Sequence, residues 1–322
     1  MNGLSSALLT FAAPVLAGFL FRQAWIVRGN APGRLSGLSR WLLLVHAFVL
    51  GPVSGLFSLW VLNLGDSRLI ALPVIGGLLH IGGALLALLG ARIMRMPASQ
   101  RGSFMMSGMV SNIGMIGSIL AFYFFGEAGY ALGAFFRIFE QPIYFLIGYP
   151  VTSAMGNGRK VTVTEGLRQI VTEPTIYMPI LGLAAGLVLN LAGVGRPASI
   201  GTINAALIPA VTINLAFSIG ITLRVGAIRE HIRPCLVMAA VKFAALPLLI
   251  AGLAKLAGLD RLDGGLPFRV ALLMSFMPVG VNALIATTLF RLDEEMAVAV
   301  WLSNNLLLLP VLLLYAPLVA MH

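Results

Sequence analysis

The stretch Ser111-Asn112-Ile113-Gly114-Met115-Ile116-Gly117 lies inside an apolar run, Phe104 to Phe125, long enough to cross a bilayer. A second stretch, Met277-Pro278-Val279-Gly280-Val281-Asn282, lies inside another such run, Val270 to Phe290. Each places helix breakers and one amide side chain near the middle of its span. Hydrocarbon offers no partner to backbone N–H and C=O groups, so broken helix persists there only where protein or water covers it. Two interrupted spans at corresponding places in the two halves of a chain point to a transporter's binding site. A plainer reading keeps both helices continuous, with Gly114 and Gly117 serving close packing and Pro278 a kink. The paired amides Asn112 and Asn282 favour broken helices.

The rest of the chain is built of similar material. Of its 322 residues 59% are hydrophobic and only 10% charged, with a mean hydropathy of +0.98. A soluble domain carries about 25% charged residues, so this composition predicts an all-α polytopic membrane protein. The formal net charge of +10 would suggest nucleic acid in a soluble protein. Here the charges sit in short loops, and membrane topology accounts for them better. The single cysteine, Cys235, excludes an internal disulfide. No basic residue precedes the first apolar run, so Leu4–Phe21 is expected to stay as a membrane helix.

Ten spans are predicted: Leu4–Phe21, Trp41–Leu62, Leu69–Ala91, Phe104–Phe125, Ala128–Thr152, Ile176–Leu191, Ile200–Leu223, Cys235–Ala257, Val270–Phe290 and Met296–Met321. Thr164–Thr172 is too polar to cross and reads as a short interfacial helix ended by Glu173-Pro174. Pro142, Pro247 and Pro310 fall within spans and predict kinks or irregular backbone. Fourteen Lys and Arg residues lie in the odd-numbered connections and five in the even-numbered ones, Lys255 at the edge of the eighth span included. The positive-inside rule puts the odd connections in the cytoplasm and both termini outside. Ten spans divide into two five-helix repeats, residues 1–159 and 160–322, and an odd repeat must be inverted. His80 and Lys242, Asn112 and Asn282, and Glu140 and Asn304 recur at separations of 162, 170 and 164 residues, a trace of such duplication.

Ionisable residues at membrane depth are costly and read as functional until shown otherwise. Arg137 and Glu140 are three apart, share a helix face and can pair, either as a structural ion pair or with Glu140 and Gln141 holding a proton or cation beside Pro142. Lys242 has no carboxylate one helical turn away, so its partner comes from another span or from an anionic substrate, unless it snorkels. His80 is either a hydrogen-bonded core histidine or a support residue. Asn112, Asn282, Asn304 and Asn305 are uncharged donors and acceptors. Broken helices present N–H groups that favour anions and free carbonyls that favour cations. The sequence holds no nucleotide-binding loop, no HExxH, no GxSxG and no metal-ligand spacing among its scattered histidines. An enzyme and an ATP-driven pump are therefore not expected, and no cofactor is predicted beyond coupling to H⁺ or Na⁺.

Several motifs together resemble the auxin efflux carrier family, within the larger group that includes the bile acid:sodium symporters. The first span ends Ala17-Gly18-Phe19-Leu20-Phe21-Arg22, similar to the family's G-[YF]-x-x-R ending. Ser111 to Gly117 resembles its N-x-G-F-x-G-x-P crossover, with Ser118 where the family usually has proline. Gly166 to Pro174 and Leu181-Gly182-Leu183 resemble the amphipathic lead into the sixth span. Met277-Pro278-Val279-Gly280-Val281-Asn282, then Phe290-Arg291-Leu292-Asp293-Glu294-Glu295, resembles M-P-x-x-x-N followed by Y-G-x-D-x-E, and is the most specific match. The tenth span departs, with Asn304-Asn305 where small or hydroxyl residues are usual. The resemblance implies two inverted repeats with broken, crossing fourth and ninth helices. It further implies a scaffold from spans 1, 2, 6 and 7 and a transport part from spans 3–5 and 8–10. Bacterial members handle organic acids such as malate or malonate, and plant members handle auxin.

The expected function is thus a secondary carrier of a small organic anion in a bacterial inner membrane, with periplasmic termini and a homodimer among its possible assemblies. The expected substrate-binding set is Asn112, Gly114, Asn282, Pro278, Lys242 and Asn305. The coupling or support set is His80, Glu140, Gln141, Arg137 and Ser111. Two alternatives stand: a sodium-coupled symporter with Ser111, Asn112, Glu140 and Gln141 as oxygen ligands, and a membrane sensor that binds without moving its ligand. The orientation is directly testable. A reporter active only in the cytoplasm, fused after His322, should stay silent, and a strong cytoplasmic signal would overturn both the orientation and the repeat scheme.

Overall fold

The structure, a computed structural model, describes residues 3–29, 32–222, 228 and 230–320. The predicted span ends Leu223 and Met321, and His322, lie outside the described residues. Among those described, every regular element is a helix, and one isolated antiparallel bridge joins Ser111 to Val279. Eight helical stretches are long and apolar enough to cross a membrane. Large apolar side chains such as Leu85, Leu248 and Leu256 stand more than half exposed, as they do when the surrounding medium is lipid. The chain is an all-helical, multi-pass membrane protein.

Two predicted spans depart from simple helices for local reasons. Ile113–Met155, 43 residues that cover the end of the fourth predicted span and the whole fifth, would measure roughly 65 Å as a single helix at 1.5 Å per residue, against a hydrocarbon core of about 30 Å, but a turn at 137–139 separates helices Ser118–Phe136 and Glu140–Ile143. The stretch is also broken at Gly126, whose φ of 68° lies in the left-handed region, where a side chain would be strained. The other is 266–289, divided into Leu266–Ser275 and Asn282–Leu289.

Prolines leave a repeated mark. Three of the four π-helical turns among the described residues, His46–Leu50, Tyr144–Gly148 and Val241–Ala245, end two residues before a proline: Pro52, Pro150 and Pro247. Proline lacks an N–H and crowds the carbonyl four residues back. Each helix widens there, and the residue just before the proline donates five residues back: Gly51 to His46, Tyr149 to Tyr144 and Leu246 to Val241. Such bulges rotate side chains out of the regular helical register and recur at functional sites. Tyr144 and Lys242 both sit on them. Pro310 lies within helix Glu294–Ala320, and Pro142 in the single turn Glu140–Ile143.

The polar segment predicted to be interfacial forms helix Val163–Thr172. Thr162 and Glu165 make a reciprocal capping box: the Thr162 N–H donates to Glu165 Oε2 at 2.8 Å, and the Glu165 N–H to Thr162 Oγ1 at 3.2 Å. That backbone N–H holds the Glu165 carboxyl below the usual carboxylate range. Glu173 is extended, and Pro174 opens the next helix.

The chain divides into two compact units. The first is Met1–Asn63, Gly114–Phe135 and Glu173–Arg224; the second is Leu64–Ile113, Phe136–Thr172 and Val225–His322. Within the first, Arg196 donates to both oxygens of Glu127, at 2.6 and 2.8 Å, and to the Phe57 carbonyl at 2.9 Å. Asn204, fully buried, donates to Glu127 Oε1 at 2.7 Å and to Ser58 Oγ at 3.1 Å. This group ties together three separate stretches of sequence in that unit. Side-chain exposure is only 11% for Arg196 and 26% for Glu127, so removing one partner strands a largely buried charge. Arg196→Ala should therefore destabilise the protein by about 2 kcal/mol, read as a lower melting temperature in detergent, and Arg196→Lys should recover part of the loss. Unchanged melting would mean the pair holds nothing.

Candidate functional site

The second unit contains both interruptions and the helices that lead into them. Helix Ala98–Met109 ends as Val110 turns extended, with φ −87° and ψ 115°. Helix Leu266–Ser275 ends at Phe276. The two short extended segments then cross antiparallel at Ser111 and Val279. The Asn112 N–H donates to the Pro278 carbonyl at 2.8 Å, and the Gly280 N–H to the Val110 carbonyl at 3.1 Å. Helical structure resumes at Ile113 on one strand and Asn282 on the other.

The end of helix Ala98–Met109 leaves carbonyls without helical partners, and two side chains from other helices take them. Lys242, fully buried, donates to the Gly108 carbonyl at 2.7 Å, the Val110 carbonyl at 3.1 Å and Ser111 Oγ at 2.8 Å. His80, also fully buried, places Nδ1 2.9 Å from the Met109 carbonyl. A carbonyl only accepts, so His80 carries its hydrogen on Nδ1. Close packing brings His80 there: a Cβ on Gly83 would lie 2.1 Å from the Gly108 carbonyl, and one on Gly108 would lie 2.3 Å from the Gly83 carbonyl. Hydrogen bonds to a charged group contribute about 1.5–3 kcal/mol each, so the three from Lys242 contribute roughly 5–9 kcal/mol. That matches the order of the penalty for burying an ion, and the negative end of the helix dipole adds to it.

On the other strand Asn305 donates to the Val279 carbonyl at 3.1 Å and to the Trp301 carbonyl at 2.8 Å. Its neighbour Asn304 is fully buried and donates to the Val300 carbonyl of its own helix. Asn112 is 7% exposed, and its Nδ2 makes no hydrogen bond. Asn282 is half-buried at the first position of helix Asn282–Leu289, and Pro278 is buried. Gly114 is half-buried and belongs to the first unit.

The support set clusters on the run that follows. Glu140 is buried, with Arg137 at 3.7 Å from Oε2 and the Tyr144 hydroxyl donating to Oε1 at 3.2 Å. Tyr144 in turn lies 3.4 Å from His80 Nδ1. Gln141 is half-buried beside Glu140. Two of the candidate sodium ligands already face cationic groups: Ser111 faces Lys242, and Glu140 faces Arg137. Tyr144 was not among the expected residues, although its place one helical turn after Glu140 was visible in the sequence.

No family description matches this sequence. Over 232 residues it is 24% identical to an uncharacterized transporter of Methanocaldococcus jannaschii, covering 72% of this chain and 73% of that protein. With eight apolar helices of membrane length, that similarity marks a transporter-like membrane protein.

Lys242 is the most exacting point of the site. Lys242→Met keeps the stem and removes the ammonium; the Val110 carbonyl keeps the Gly280 N–H, while the Gly108 carbonyl and Ser111 Oγ lose the ammonium's hydrogen bonds at about 1–3 kcal/mol each. The melting temperature in detergent should fall by several degrees. An unaltered melting curve would show that the ammonium does not hold the helix end.

Proposed function

We propose that the chain is a secondary carrier of a small organic anion, most simply a carboxylate, working by alternating access at the crossover. The supporting observation is the antiparallel crossing of two broken helices through Ser111 and Val279. A helix N-terminus carries about half a positive charge, and two helices restart beside this crossing. Asn112, buried and with a free Nδ2 donor, stands at one restart and Asn282 at the other. The carboxylate is bound between the amides and helix N-ends, with Lys242 bracing the crossing from behind.

In this reading the chain crosses the membrane ten times, in two inverted repeats of the auxin efflux carrier type. The 43-residue stretch counts as two crossings and the broken 266–289 stretch as one. The second unit is the transport part and the first the scaffold. Both termini are periplasmic in a bacterial inner membrane. The ammonium on Ser111 favours this reading over the sodium-coupled one, because it occupies an oxygen that a sodium ion would need.

Proteoliposome counterflow with labelled malate, malonate and an aromatic carboxylate tests the proposal. Wild-type protein should exchange at least one of them. Asn112→Leu and Asn282→Leu should insert normally and lose exchange by about two orders of magnitude, a few kcal/mol of lost recognition. Full activity in either variant would remove the crossover amides from the binding site. Saturable binding with no exchange would favour a sensor.

A further inference from the structure

The side chains leading away from the crossover on the Glu140–Tyr144 turn are not needed to hold an anion, yet they form a hydrogen-bonded line with a definite direction. His80 Nδ1–H points to the Met109 carbonyl, the last residue of the broken helix, at 2.9 Å. The Tyr144 oxygen lies 3.4 Å from the same nitrogen, with the two rings meeting edge-on at 5.1 Å between centroids. Tyr144 has one hydroxyl hydrogen, and it goes to Glu140 Oε1 at 3.2 Å. The line therefore requires an acceptor at Glu140. Beyond it, Arg137 stands 3.7 Å from Oε2 with 21% of its side chain exposed, so the carboxyl is buried but one residue from an open edge of the unit.

A proton added to Glu140 turns that acceptor into a donor. A carboxylic O–H turned toward Tyr144 forces the tyrosine to aim its own hydrogen elsewhere. The reversal is thus transmitted to the oxygen that shares His80 Nδ1 with the end of the broken helix. Protonation also removes the negative charge facing Arg137. The other titratable groups around this line are Tyr149 on the same run, Lys242 at the far side of the helix end, and Glu165. The last lies on helix Val163–Thr172 and is engaged with Thr162 and Arg159. That helix meets the run at Gly166, against the Phe145 carbonyl.

We propose that Glu140 is a proton-binding site that couples proton movement to transport, read at the crossover through Tyr144 and His80. This rests on the anion-carrier reading. One proton enters the Glu140 carboxylate from the more acidic side and leaves toward the other as a monoanion moves with it, so net charge is conserved and no bond but O–H is made or broken.

Two measurements on the full-length protein in liposomes test it. Infrared difference spectra between acidic and alkaline buffer, taken without any substrate, should show a protonated carboxyl band that is lost in Glu140→Gln. With the labelled aromatic carboxylate, a monoanion, an inward-directed proton gradient should drive accumulation, up to about tenfold per pH unit for one proton per anion. Glu140→Gln should keep counterflow at equal pH and lose the gradient-driven accumulation. Tyr144→Phe leaves the Arg137–Glu140 pair intact and should uncouple in the same way, which guards against a Glu140→Gln protein that does not insert. A carboxyl band of unchanged area in Glu140→Gln, or gradient-driven accumulation retained in either variant, overturns the proposal. Wild-type counterflow that ignores the gradient overturns the coupling alone, whereas absence of counterflow for every acid tested overturns the carrier reading.

Discussion

A polar backbone group shut away from water must find a partner within the protein, and two helices that stop inside the second unit create many such groups at once. The second unit answers this with a two-strand crossing that satisfies Asn112 N–H, Pro278 C=O, Gly280 N–H and Val110 C=O. It adds side chains that reach the remaining oxygens: Lys242 and His80 on one strand, Asn305 on the other. The buried lysine and histidine follow from that need, because helix-end carbonyls want cationic or N–H donors.

The arrangement is unequal between the strands. The helix ending at Met109 receives an ammonium and an imidazole, whereas the segment after Ser275 receives an amide. The buried lysine thus braces one strand only. The π-helical turns before Pro150 and Pro247 belong to the same design. Each carries one residue of the support, Tyr144 or Lys242, on a helix that proline has already widened. The cost of the proline is local, and the altered side-chain direction is what the crossing uses.

The two units rest on different chemistry. The first contains an Arg–Glu–Asn group that joins three stretches of sequence, while the second brings an ammonium, an imidazole and an amide to the crossing and a buried carboxyl to the Glu140–Tyr144–His80 line.

Hydropathy and helix breakers in the sequence were enough to identify a multi-pass helical protein, the interruptions near Asn112 and Asn282, and the short polar helix ended by Glu173-Pro174, because each depends on residues close together in the chain. Arg137 with Glu140 was legible for the same reason. The partners of Lys242 were not, since backbone carbonyls carry no residue signature and the helix it caps lies more than 130 residues away. Glu127 and Arg196 lie 69 residues apart with no local pattern that pairs them, and folding sets them side by side within the first unit. Asn304 and Asn305 are adjacent in sequence, yet only the rotation of their helix sends Asn305 to the crossing and leaves Asn304 bonded to its own turn. Local composition set where helices run and where they fail, while tertiary packing decided which side chains repair the failures, because that depends on distances the linear chain does not contain.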